Sequence, residues 1–364
     1  MKTICYYISD YGYGHATRSI AIIRALMVQA PHRYRIIVCS GKTIGFIQRS
    51  LLGSAGLGNI YFRECASDLG YILKQGSVEP DLEMFKFKYV DYIKTMPLEI
   101  QREADFILKE KVDLIVTDIS PVPIGAAKLA KIQSIAISNF TWYTAYMGFI
   151  ERGYLQPLFD VYSHIDYFIH LSGSAEPHWG RGSLMKSGFF CRAPVKEETN
   201  RLTNLLKPHS HSKIVYVALG MSIQADHLDK FKMWEEDSCL FVVSSNLKIE
   251  GKNIHHIPSN YTESQNYVAV ADIIISKPGW GTVAEGVILN KPLILLNRGL
   301  MNEDQNTLKE ISFRHSYMLA MWEELQELDL ETLFKAMNPK PQQEIENNIN
   351  IQKIIRYIEN ISNV

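Results

Sequence analysis

Histidine and aspartate are the pair best suited to move a proton near neutrality, and the sequence holds one of each in a telling place. His15 lies in "SDYGYGHATRS" (9–19), among glycines, where an apolar run gives way to a helical pattern. Asp118 follows "DLIVT" at the end of another apolar run, so its carboxylate is expected to face the same crevice. A carboxylate beside an imidazole fixes the ring's tautomer and raises its basicity, which predicts a His15–Asp118 dyad. A second stretch, "SKPGWGTVAEG" (276–286), sets Lys277, Gly279, Gly281, Thr282 and Glu285 at a similar junction. There the first N–H groups of a helix are unpaired and its dipole is positive, so an anion is favoured. Gly12, Gly14, Gly279 and Gly281 let the backbone come close to it. Lys277 adds a cation, Thr282 a hydroxyl, and Glu285 a carboxylate one turn on that accepts from neighbouring hydroxyls. Thr282 and Glu285 also spell T-x-x-E, a capping box that does no more than start a helix. The flanking Lys277-Pro-Gly-Trp-Gly is more than a cap needs.

Such junctions recur because short apolar runs alternate with helical patterns along the chain. Strands are expected at 3–9, 34–40, 59–65, 112–120, 134–140 and 166–171, with helices from about 15 to 29 and over 98–110 and 124–131. "FKFKYVDYIK" (85–94) reads as one face of an amphipathic helix. A less regular stretch, 172–212, reads as a linker, after which strands resume at 213–220, 239–245, 253–258, 272–277 and 292–297. Runs this apolar suit a parallel sheet covered on both faces. The expectation is an α/β protein of two Rossmann-like domains with mostly parallel sheets, 1–190 and 210–342, facing across a cleft. A periodic helix at 343–361 is placed to pack back on the first domain. Ligands of such sheets lie at the carboxyl ends of the strands.

Composition narrows the function. A formal charge of −1 gives no electrostatic reason to expect nucleic acid. The five cysteines are odd in number and widely spaced, with no C-x-x-C, which fits reduced thiols in a cytoplasmic protein. The apolar stretch after Lys2 stops at Ser9-Asp10, too short for a signal-peptide core, and no run reaches the ~20 apolar residues of a membrane span. That leaves room for peripheral membrane contact only. "GYGHAT" lacks the third glycine of a dinucleotide fingerprint, which disfavours an NAD-dependent dehydrogenase.

Taken together, these residues resemble the GT-B glycosyltransferases, a group that includes plant UDP-glycosyltransferases and the N-acetylglucosaminyltransferase of peptidoglycan synthesis. Their donor loop reads His-Cys-Gly-Trp-Asn-Ser-x-x-Glu in the plant signature; here it is Lys277-Pro278-Gly279-Trp280-Gly281-Thr282-x-x-Glu285. Lys277 stands in place of the usual histidine and Gly281 in place of the asparagine. The sequence is also similar to the glycosyltransferase-like half of L-arabinokinases, through "GYGHATR", "VDLIVTDISPVP", "SIAISNFTW" and "KPGWGTVAEG…NKPLILLNR". The likeness spans both halves of the chain, with gaps at about 66–110 and 172–212.

The resemblance implies a hexosyltransferase-type enzyme with a nucleoside-diphosphate sugar, UDP-linked, as donor, a hydroxyl-bearing small molecule as acceptor, and no required cofactor or metal. It implies that Glu285 binds ribose hydroxyls and that Thr282 and Lys277 contact the diphosphate. Gly220, Met221 and Ser222 would border the phosphates, Asp304 and Gln305 the transferred sugar. His15 would be the general base of an inverting transfer and Asp118 its orienter. On the acceptor side, "NFTWYTAYMGF" (139–149) offers Asn139, Trp142 and Tyr143 as a stacking wall, or equally as core. The same crevice would serve a nucleotide-sugar hydrolase or epimerase, or a sugar-nucleotide-binding protein without catalysis.

Overall fold

Runs that are apolar at every position form strands only where both faces are covered, and that is how the chain uses them. A computed structural model describes residues 1–52, 58–75, 77, 79–206, 213–220, 228–299, 301–330, 334 and 347–362. The strands are β1 (Lys2–Tyr7), β2 (Tyr34–Ser40), β3 (Ile60–Glu64), β4 (Leu114–Thr117), β5 (Gln133–Ser138), β6 (Tyr167–Leu171) and β7 (Met185–Ser187), followed by β8 (Lys213–Ala218), β9 (Cys239–Val243), β10 (Ile254–His256), β11 (Ile273–Ser276), β12 (Leu293–Leu296) and β13 (Tyr317–Ala320). The first seven make a parallel sheet in the order β3-β2-β1-β4-β5-β6-β7, and the other six a parallel sheet in the order β10-β9-β8-β11-β12-β13. The two halves thus share one doubly wound order. β7 and β13 were not legible as strands: both are short and lie at sheet edges. β3, at the opposite edge, is only half-buried.

Each sheet reverses its winding beside its first strand, between β1 and β4 and between β8 and β11. Doubly wound sheets bind ligands in the crevice opened at such a switch point. The loops leaving those four strands carry His15, Asp118, Gly220 and Lys277.

Five helices matter for the site: α1 (Tyr13–Gln29), α2 (Leu82–Lys109), α3 (Trp280–Ile288), α4 (Asn302–Ile311) and α5 (Asn347–Ser362). α2 runs unbroken through Pro97 and unites two segments expected separately; Phe85 and Tyr89 point inward while Phe87 is exposed. Asn350 on α5 accepts from the Gly188 amide (3.2 Å) and donates to the Phe189 carbonyl (2.9 Å), so the last helix returns to the first sheet. One apolar cluster, including Ile4, Ile20, Ile274, Val283 and Ile354, runs through both halves and α5.

Candidate active site

Gly12 ends the loop after β1 with φ 83°, a left-handed conformation that glycine adopts at little cost, and serves as N-cap of α1 without a side-chain cap. His15 therefore sits in the first turn of a helix whose leading N–H groups are unpaired. Its Nδ1 lies 2.6 Å from Asp118 Oδ2. Asp118 is fully buried immediately after β4, so the dyad comes from the two strands at the switch point. Arg18, one turn past His15, donates through Nε to Asp118 Oδ1 (2.8 Å), with Nη2 on the same oxygen, and through Nη1 to Asn139 Oδ1 (2.7 Å). Burial works to raise the Asp118 carboxyl, yet the Arg18 and His15 charges and hydrogen bonds hold it below the ordinary carboxylate range. An ionised Asp118 only accepts, so His15 donates to it from Nδ1, and in the neutral tautomer this selects the lone pair is on Nε2. Phe140 meets the imidazole edge-on, with centroids 5.8 Å apart.

Across from α1, helix α3 begins at Trp280 with Gly279 as its N-cap and again no side-chain cap. The capping-box reading fails here, because Gly279 is the N-cap, and Thr282 lies inside the first turn with no side-chain cap hydrogen bond. The two uncapped N-termini meet head to head. A Cβ placed on Gly281 would stand 2.9 Å from Gly14 Cα, which is why this position has no room for asparagine. Tyr11, Gly12, Gly14, His15, Arg18, Asn139, Gly220, Lys277, Gly279, Gly281, Thr282, Glu285, Arg298, Glu303 and Asp304 all line a single cavity of about 220 Å³ between the halves.

The charges along its wall are perturbed. Burial and the neighbouring Arg298 charge pull Lys277 down to about 8. Lys277 has no carboxylate within ion-pair distance among the described residues; its Nζ stands 5.6 Å from the Tyr11 ring centroid. Burial pushes the Glu285 carboxyl up to about 7, against Arg192, whose Nη2 is 3.8 Å away. Glu303 is likewise raised to about 7 by burial and then by the Asp304 carboxylate, with Arg298 opposing.

Residues 234–360 match the glycosyltransferase family 28 C-terminal domain. The chain superposes on Arabidopsis thaliana UGT89C1 complexed with UDP (TM-score 0.62, 12% identity, 98% of this chain and 100% of the other). It also superposes on the glycosyltransferase SnogD from Streptomyces nogalater (TM-score 0.59, 11% identity, all of both chains). The chain has a GT-B fold, and its C-terminal part matches a glycosyltransferase domain. The fold expected from the two loops is thereby borne out. An L-arabinokinase from Arabidopsis thaliana is 24% identical over 321 residues, an alignment covering 82% of this chain. This chain spans 28% of the length of that relative.

Within the GT-B cleft not every expected residue reaches the cavity. Trp142 and Tyr143 belong to the core: Trp142 stacks on Tyr146 at 5.1 Å and donates from Nε1 to Asp68 Oδ2 (3.0 Å), and Tyr143 packs on Phe159 and Trp179. The aromatic stretch is thus spent on packing, and Asn139 and Phe140 are its contribution to the cavity wall. Gln305 is exposed on the far side of α4 and does not line the cavity. Asp304 does, but both its oxygens are held by Arg298, at 2.6 Å from Nε and 2.8 Å from Nη2. Met221 and Ser222 lie outside the described residues. The residues that reading missed are Arg18, Arg298 and Glu303. Arg18 shares a helix face with His15 at i+3, and Arg298 follows β12 at a carboxyl end, so spacing alone could have marked both. Among the described residues, no helix is long and apolar enough to cross a membrane.

Proposed function

We propose that the chain is an inverting glycosyltransferase that moves a sugar from a UDP-linked donor to an acceptor hydroxyl, with His15 as general base. The observation that carries this reading is the sharing of one cavity by the His15–Asp118 dyad and two uncapped helix N-termini. Two positive dipole ends set against each other repel when nothing lies between them, and a diphosphate relieves that repulsion. Solved structures of the same fold include UGT89C1 complexed with UDP, with UDP-L-rhamnose and with quercetin, which supports a nucleotide-sugar donor and a small-molecule acceptor.

In the proposed step, His15 Nε2 takes the acceptor's hydroxyl proton as its oxygen attacks the anomeric carbon. The bond from that carbon to the diphosphate oxygen breaks, the electron pair leaves with UDP, and the configuration inverts. Asp118 acts on His15 by fixing tautomer and ring orientation, since its charge is shared with Arg18. Lys277 and the N–H groups near Gly281 meet the charge that develops on the leaving group, so the reading requires no metal ion. Glu285, with Tyr216 and Ser264 beside it on the cavity wall, is assigned the ribose hydroxyls. In this reading residues 1–190 form the acceptor side and 210–342 the donor side. The free cysteines suit a cytoplasmic enzyme.

The test is His15→Ala, followed by UDP release from a panel of UDP-sugars with phenolic and sugar acceptors, and by calorimetric UDP binding. Turnover is expected to fall about 10²–10⁴-fold with UDP affinity intact, as for loss of a general base. Unchanged turnover, or no UDP binding by the wild type, would refute the proposal.

A further inference from the structure

The inner end of the cavity holds polar atoms that the donor loop leaves without partners. Arg298 Nη1 and the Tyr11 hydroxyl are buried neighbours close enough to interact, and neither makes a hydrogen bond of full geometry among the described residues. Both residues line the cavity. Glu303, in the first turn of α4, accepts from the Tyr71 hydroxyl at Oε2 (2.7 Å) and lines the same cavity. Leaving a buried donor unmade is costly, so this wall is incomplete without a ligand. The missing partner must accept from Arg298 and Tyr11 and donate to Glu303. Neighbouring sugar hydroxyls do both, because each accepts and donates.

We infer that Glu303 and Arg298, with Tyr11, read the hydroxyls of the transferred sugar, an uncharged hexose or pentose, in place of Asp304 and Gln305. The assignment rests on the donor-site reading above. Arg298 occupies both Asp304 oxygens and Gln305 faces solvent, whereas Glu303 faces the cavity. The place is also right for a sugar. Lys277, assigned to the diphosphate, stands beside Tyr11 at 5.6 Å, so the group joined to that diphosphate extends toward Tyr11, Arg298 and Glu303. Tyr71 holds the Glu303 carboxylate from the N-terminal half, which makes the pocket complete only when the two halves are together. The Arg298 charge is already matched by both Asp304 oxygens, so a carboxylate on the sugar finds no free cation there and uronic acids are disfavoured.

The experiment is isothermal titration of wild type, Glu303→Gln, Glu303→Ala and Gln305→Ala with UDP, UDP-glucose, UDP-galactose, UDP-xylose and UDP-glucuronate. For at least one uncharged sugar, both Glu303 variants are expected to lose roughly 10- to 100-fold in affinity while binding UDP as the wild type does. Gln305→Ala is expected to change neither. Equal loss for UDP and UDP-sugar, no loss, a selective loss in Gln305→Ala, or UDP-glucuronate as the tightest ligand each overturns the inference, as does binding of UDP but of none of the sugars. If wild type fails to bind UDP, the donor-site reading itself falls. Should Glu303→Ala unfold, the near-isosteric Glu303→Gln carries the result.

Discussion

Gly281→Ala adds one methyl group where α1 and α3 meet end to end, and the structure fixes what that methyl hits. Its Cβ would lie 2.9 Å from Gly14 Cα, 3.4 Å from Gly14 O and 3.3 Å from Thr17 Oγ1. Carbon atoms rest about 3.5–4.0 Å apart, so the two loops must separate by roughly 0.5–1 Å. Overpacking of this kind costs about 1–3 kcal/mol, from which the better helix propensity of alanine returns up to about 1 kcal/mol. The net expectation is a loss of roughly 0.5–2 kcal/mol and a UDP affinity lowered about tenfold, because the N–H groups of the two N-termini no longer converge. Gly14→Ala is the control. Its Cβ would meet Gly281 N at 3.7 Å and Cα at 3.9 Å, ordinary contacts, so alanine there should be neutral or slightly stabilising. Calorimetric unfolding and UDP titration of both variants provide the assay. Equal effects at the two positions, or wild-type behaviour of Gly281→Ala, would refute the head-to-head geometry. Gly281→Asn should be worse than Gly281→Ala.

Two further outcomes follow from the perturbed charges. Lys277 is lowered to about 8 in the empty site, so UDP affinity measured by calorimetry should hold below pH 8 and fall as pH rises above it. Lys277→Met should bind more weakly and lose that dependence. Glu285 is raised to about 7 from an unfolded value near 4.3, so the folded chain holds its proton more tightly and stability is lost as pH climbs between those values. Glu285→Gln should therefore be more stable than wild type at pH 8, by up to about 3 kcal/mol, with UDP binding weakened; Arg192 keeps Glu263 as counter-charge. An unchanged melting temperature at pH 8 would show that burial is not what perturbs this carboxyl.

Much of this arrangement was legible before any coordinates, for a physical reason. Buried parallel strands must be apolar along their whole length, so the central strands announced themselves, and the ligand-facing loops follow from where those strands end. The edge strands β7 and β13 face fewer such demands and carried little signal. Side-chain direction was harder to read. Asp304 and Gln305 are adjacent on α4, yet Asp304 falls within the arc of the helix that faces the cavity and Gln305 falls outside it. Glu303 also faces it, a consequence of α4's rotation that no local pattern records. Trp142 and Tyr143 illustrate the same limit, since an aromatic run satisfies a core and a ligand wall equally well until the neighbours are known.

Arg18 shows how the two ends of the chemistry are tied together. Its guanidinium holds Asp118 and Asn139 within the N-terminal half and lies 5.3 Å from the centroid of the Trp280 ring in the donor loop. A cation–π contact of this kind contributes about 0.5–2 kcal/mol, and the Trp280 indole adds an N–H bond to the Ser172 carbonyl at 2.9 Å. The side chain that holds the partner of His15 therefore touches the loop proposed to receive the diphosphate. Moving the donor loop away removes the stacking partner of Arg18 and, through it, loosens the carboxylate that sets the imidazole. In the proposed reaction, base alignment and donor placement are thus conditions on a single arrangement of the two halves, set by a residue that itself need touch neither substrate.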